Sequence, residues 1–260
     1  MKQRAITAAV ALAGLFIVLF ALPPLAVRVV IAVIVLIGAW EWAGFLKSPS
    51  VGLRIAYVST IAALLIGSTS IFSAHAEALL FVGLAFWVLA LLWTFFFPTR
   101  IPTVLRWIAG AAVLLPMYVA LMLLYDIDRL LLLFALLIVW LADSGAYFAG
   151  RRFGRVKLAP AISPGKTWEG VIGGLLAVTL LVLARAAIVE TDLAVFLPFC
   201  LAVAVLSVVG DLTVSMFKRT AGLKDSGAFF PGHGGMLDRV DSIAAATPLF
   251  ALGTSWVGLR

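Results

Sequence analysis

A single cysteine, Cys200, excludes an internal disulfide, and its place in the middle of an apolar run reads as a packed thiol rather than a reactive one. Charge is scarce too: Asp, Glu, Lys and Arg make up 12% of the 260 residues, and there are two histidines. A soluble domain carries about 25% charged residues. Apolar residues fill the difference, at 64% of the chain and a mean hydropathy of +1.19, against roughly 45–50% in ordinary soluble domains. A soluble globular fold is therefore excluded, and no polar segment is long enough for a separate soluble domain. Nucleic acid is excluded as a partner because the net charge of +7 has no soluble module to carry it. The excess of bases suits anionic lipid headgroups instead.

A bilayer core about 30 Å thick needs roughly 20 apolar residues per helical span. Nine such segments are present, at about 5–22, 25–44, 53–72, 79–97, 104–124, 130–149, 171–189, 193–216 and 240–258. Unsatisfied backbone groups are costly in lipid and the alternation of barrel strands is absent, so the spacing predicts an all-α, polytopic membrane protein of about nine transmembrane helices. Small residues such as Gly173 and Gly174 suit close helix packing. The apolar run after Met1-Lys2-Gln3-Arg4 has no clear small-residue cleavage site before Pro23-Pro24 and reads as an uncleaved first helix. Residues 1–129 are then N-terminal transmembrane helices, and 130–260 form a C-terminal catalytic region that holds the polar motifs.

With nine spans the bases fall unevenly. Fifteen of the 19 lie at the N-terminus and in the loops on its side, and Arg28, Arg129, Arg185 and Arg260 lie on the other. The positive-inside rule places the N-terminus and both long polar loops in the cytoplasm. The remaining polar residues invite plain readings. Glu41, between Trp40 and Trp42, reads as an interfacial residue in an aromatic belt. His75 and Glu77, and Asp126, Asp128, Glu190 and Asp192, fall on the outer face, and Phe95-Phe96-Phe97 reads as lipid-facing.

The densest polar stretch runs from Ser207 to Ser242, SVVGDLTVSMFKRTAGLKDSGAFFPGHGGMLDRVDS, and crowds Asp211, Asp225, Asp238, Asp241, Lys218, Arg219, Lys224, Arg239 and His233 between two apolar segments. Aspartates, bases and glycines at a membrane surface are what a site for metal ions and a polyphosphate needs. Asp211 is expected to close one helix and Asp238 to open the next, so the intervening loop can bring both carboxylates together. Asp241 follows one turn later and can support the same site. Mg²⁺ favours one or two carboxylates plus waters and substrate phosphates, and a second ion could clamp the leaving group. Lys218, Arg219, Lys224 and Arg239 are candidates for phosphate contacts.

A second stretch, WLADSGAYFAGRRFGRVKLAPAISPGKTWEGVIGG from Trp140, places Asp143 inside an apolar helix, where a carboxylate is costly and so a functional candidate. Ser163-Pro164-Gly165-Lys166-Thr167-Trp168-Glu169-Gly170 offers hydroxyls, a lysine and backbone N–H groups ahead of a helix, suited to phosphate oxygens but without Walker-loop spacing.

Both stretches resemble the signature of the phosphatidate cytidylyltransferases, or CDP-diacylglycerol synthases. In the first, Ser215, Lys218, Arg219, Lys224, Asp225, His233, Gly234, Gly235, Asp238, Arg239 and Asp241 match in order. In the second, Asp143 to Tyr147, Gly150, Arg151, Phe153, Gly154 and Ser163 to Gly170 match. The first 130 residues are similar only as an apolar bundle. The resemblance implies transfer of CMP from CTP to phosphatidic acid, with Asp211 and Asp238 as metal ligands alongside Asp241. It implies a catalytic set of Asp211, Asp238, Lys218, Lys224, Asp225 and His233, with His233 weighted toward positioning. It further implies substrate binding by Asp143, Ser163, Lys166, Thr167, Arg219, Gly234, Gly235 and Arg239, and makes a homodimer plausible. A CDP-alcohol phosphotransferase would need an Asp-Gly…Ala-Arg…Gly…Asp…Asp pattern that is absent. A transporter would place ionisable groups near mid-bilayer, whereas these cluster at one face.

Overall fold

The computed structural model describes residues 12–46, 50–70, 76–227, 229 and 234–258. His233, His75, Lys47, Lys2, Arg4, Arg260 and the start of the first expected span lie outside them. The described residues form nine helices and one short hairpin. They are α1 (Leu12–Ala21, ending in a π-helical turn), α2 (Pro24–Ala43), α3 (Val51–Ser70), α4 (Ala76–Phe95), α5 (Thr103–Ile127), α6 (Arg129–Phe153), β1 (Lys157–Ala159), β2 (Ser163–Thr167), α7 (Trp168–Ala186), α8 (Leu193–Thr220) and α9 (Leu237–Gly253). Seven of them, α2 to α8, are long and apolar enough to cross a membrane.

Helices stand at the nine expected spans, but α9 and the described part of α1 are shorter than a span, and two of the others overrun theirs. Helices α6 and α8 continue beyond their apolar runs, α6 through Gly150-Arg151-Arg152-Phe153 and α8 through Lys218-Arg219-Thr220. Apolarity ends where lipid ends, but the i→i−4 ladder carries on into the aqueous phase. Asp211 therefore does not close its helix; it stands about two and a half turns before the end of α8.

Helix α9 is the centre of the bundle and packs against α2, α4, α5, α6 and α8. From Val240 to Gly253 only Leu249 is less than fully buried. Its Ala244-Ala245-Ala246 run and Gly210 of α8 explain how other backbones come so close, since a Cβ at Gly210 would meet the Asp241 carbonyl. Helices α6 and α7 pack by the same device: a Cβ at Gly174 would lie 2.6 Å from the Ala142 carbonyl, and one at Gly173 would meet Ala149. The small-residue reading of Gly173 and Gly174 is thus borne out.

Two ends of the bundle are distinguishable by their bonds. At one, Arg28 pairs with Asp126 at 2.7 Å, Arg129 donates to the Leu19 carbonyl, and Asp128 and Asp192 cap α6 and α8. These acids serve local structure. Cys200 is fully buried, and Phe95 and Phe96 are exposed on the bundle's outside. The polar motifs all lie at the other end.

Candidate active site

The site is assembled from the hairpin and from α6, α8 and α9. Antiparallel pairing of β1 with β2 sets Ala159 opposite Ser163 and Lys157 opposite Thr167. Successive side chains point to opposite faces of a strand, so Lys166 points opposite to Thr167. Thr167 turns inward: it is buried, accepts from the Gly170 N–H at 3.2 Å as the N-cap of α7, and lies against Gly150 and Gly154. That cap leaves Lys166 aimed at α8, where its Nζ meets Asp211 Oδ2 at 2.7 Å. The other Asp211 oxygen accepts from Ser215 Oγ at 3.1 Å. Both partners of the Lys166–Asp211 pair stay partly accessible, at 24% and 32% of their side-chain surface.

A second ion pair lies deeper. Lys218 Nζ meets Asp238 Oδ1 at 2.6 Å, with side-chain exposures of only 10% and 12%. Asp238 Oδ2 accepts the backbone N–H groups of Ser226 and Gly235, each at 2.9 Å. Asp238 therefore has both oxygens engaged, and Asp211 and Asp238 have different lysine partners. Gly234 takes a left-handed φ of +79°, and a Cβ there would stand 2.7 Å from Asp238 Oδ2. Only glycine suits that position.

Two further carboxylates face Asp211. Asp143 of α6 interacts with it electrostatically and faces Ser242 of α9. Asp241, buried at 6% exposure, faces Asp211 and feels Lys218 and Lys166. Four aspartates thus share two lysines, Lys166 and Lys218, an excess of negative charge that fits a divalent cation. Among the described residues no three His, Cys, Asp or Glu side chains form a ready-made metal cage. Arg219 spans from α8 to the hairpin, its Nε donating to the Ile162 carbonyl at 3.2 Å. Lys224, Asp225 and Arg239 sit on the exposed rim. A cleft of about 610 Å³ opens at the same end, lined by Phe45, Arg100, Arg106, Thr220 and Leu223 among others, beside the carboxylates rather than around them.

Residues 2–256 match the Cytidylyltransferase family. The chain belongs to that family. It is 42% identical over 264 residues to a phosphatidate cytidylyltransferase of Pseudomonas aeruginosa, covering 96% of each chain. It is 36% identical over 283 residues to one of Haemophilus influenzae, covering 96% of this chain and 97% of the relative. A third, from Staphylococcus epidermidis, is 50% identical over 121 residues, 45% of this chain and 46% of that one. The first two alignments take in the N-terminal helices, which the motifs alone do not reach.

Those helices contribute to the site. Glu41, near the end of α2, is buried rather than interfacial and accepts three hydrogen bonds: from Ser226 Oγ at 2.9 Å, the Met236 N–H at 2.9 Å and the Leu237 N–H at 2.7 Å. Trp42 is equally buried, bonded through Nε1 to the Arg106 carbonyl and packed 5.0 Å from the Phe217 ring. Only Trp40 keeps the expected exposed position, beneath the Arg54 guanidinium. A lone carboxylate within an apolar helix was the available signal for Glu41, the same signal that marked Asp143.

Proposed function

We propose that this protein is a CTP:phosphatidate cytidylyltransferase working at the cytoplasmic face of a bacterial inner membrane. The supporting observation is the set of four aspartates and two lysines, drawn from both family motifs onto one end of a membrane-embedded bundle. A phosphate oxygen of phosphatidic acid attacks the α-phosphorus of CTP. A new P–O–P linkage forms, the bond from the α-phosphorus to the α,β-bridging oxygen breaks, and its electron pair leaves with pyrophosphate. The products are CDP-diacylglycerol and pyrophosphate.

The attacking oxygen is already anionic, so no strong general base is needed. The work left to the protein is neutralisation and alignment of two polyanions. Lys166 is the accessible cation for CTP phosphates, and Arg219, Lys224 and Arg239 line the rim where a lipid phosphate arrives. Gly234 and Gly235 let the loop backbone approach closely, and Asp225 and Ser163 complete the proposed set. Asp211, Asp241 and Asp238 would hold Mg²⁺, Asp211 being the most accessible. When bound, the cation supplies charge neutralisation at the reacting phosphates. Asp143 stands beside them, facing Ser242 of α9.

The test is the path of the label. With phosphatidate and Mg²⁺, α-³²P from CTP enters the chloroform-soluble product and γ-label leaves as pyrophosphate; EDTA stops both. Gamma-label in the lipid, or no α-label with all components present, overturns the assignment. A kinase would give the first result and a transporter the second.

Orientation has its own test. Val156→Cys and Gly165→Cys lie on exposed parts of the hairpin region, while Ile188→Cys lies at the opposite end, at a position 86% exposed. In a Cys200→Ala background, an impermeant maleimide added to intact cells is expected to label only the Ile188 variant. Labelling of the hairpin variants from outside would reverse the proposed topology.

A further inference from the structure

We infer that Glu41 is a positioning residue for the transfer step, a role that rests on the function proposed above. Its carboxylate does in trans what an N-cap side chain does in cis. Helix α9 begins at Leu237 after Met236, whose own side chain makes no capping bond. The Met236 and Leu237 N–H groups are instead taken up by Glu41, from a helix 195 residues earlier in the chain. An anion there also opposes the positive end of the α9 dipole.

The same carboxylate ties down Ser226, at the other end of the loop that precedes α9. Asp238 binds these two points from the opposite side, through the N–H groups of Ser226 and Gly235. Glu41 and Asp238 thus grip one pair of loop ends between them, and Lys218 completes the chain of bonds. Close packing confirms how tightly the grip is drawn: a Cβ at Gly227 would stand 2.6 Å from Glu41 Oε1, and one at Gly235 would meet Oε2. At Gly235 that Cβ would also meet Ser226 Oγ, so the Glu41–Ser226 contact itself leaves room only for glycine there. Glu41 itself touches neither Asp211 nor Lys166, so its influence on the reaction passes through the register of α9.

An in-line displacement is sensitive to such register, because about 1 Å of misplacement can cost on the order of 10²-fold in rate. Glu41→Gln keeps the shape but turns an amide N–H₂ toward backbone N–H donors. It is expected to lower kcat about 10- to 100-fold, with KM for CTP and for phosphatidate within about threefold of wild type. Glu41→Asp retains the charge and is expected to recover part of that loss. Ser226→Ala removes one of the three bonds and is expected to lower kcat less. Combined with Glu41→Gln it is expected to add little, because both act on the same link. All variants are assayed as full-length protein in detergent with phosphatidate and α-labelled CTP, beside a melting curve.

Wild-type kcat in Glu41→Gln, or a loss that appears in KM alone, overturns the inference. So does a kcat loss that Glu41→Asp does not relieve and that tracks the unfolded fraction, which would mark a purely structural role. If Glu41→Gln does not accumulate, wild-type kcat in both Glu41→Asp and Ser226→Ala overturns it equally. Failure of wild-type protein to transfer α-label would instead strike the assignment of function itself.

Discussion

Asp211→Asn is expected to lower kcat for cytidylyl transfer by at least about 10²-fold while leaving the melting temperature within a few degrees of wild type. The two halves of this expectation have one cause. Asp211 stands among like charges, facing Asp143 and Asp241, with Lys166 as its close cation at 2.7 Å. An amide in its place relieves repulsion that the fold tolerates only for function. The loss of the Lys166 bond is small in stability terms, since that pair is 24% and 32% exposed and Lys166 can turn to water. Activity has no such compensation, because an amide oxygen is a poor partner for a hard cation. The check is kcat against Mg²⁺ concentration, with the melting curve run on the same preparation. Near-normal turnover at saturating Mg²⁺ would make Asp211 structural and remove the proposed metal role.

How far the sequence leads to this site depends on the range over which each cue acts. Helix number and order follow from hydropathy, because lipid admits little besides helices. The motif residues are legible because they cluster: Lys218, Asp238 and Asp241 lie within 24 consecutive positions. Glu41 is not, because it reaches its partners across 185 to 196 residues and sits between tryptophans that suggest an interfacial belt. Trp42 misleads in the same way; its burial against Phe217 comes from tertiary packing that no local pattern records. The depth of Asp211 also escapes sequence reading, since polar residues mark the edge of lipid and not the end of a helix. The Ser163–Thr167 stretch reads as a turn ahead of a helix, and its strand character appears only once β1 pairs with it. That pairing separates Lys166, directed to Asp211, from Thr167, committed to the cap of α7.

Lys218→Met is expected to inactivate the protein and to destabilise it by about 3–5 kcal/mol, the cost of leaving one member of a buried ion pair alone. The pair meets this description: Lys218 and Asp238 are 2.6 Å apart, with exposures of 10% and 12%. The preceding residue, Phe217, packs its ring against Trp42 and Trp93, and Lys218 itself is buried. A methionine fills the space of the lysine stem but strands the Asp238 carboxylate. Asp238 would keep its bonds from the Ser226 and Gly235 N–H groups, which limits the damage to the lower part of the range. Asp238→Asn alone strands the ammonium instead and is expected to be similarly destabilising. In Lys218→Met/Asp238→Asn neither member of that pair is left charged without the other, so much of the stability is expected to return while turnover stays absent. SDS-titration unfolding measures the first quantity and α-label transfer the second. Full activity in the double variant would show that the pair serves only the fold. Additive losses of stability would show that the two charges do not interact, against the geometry of the pair.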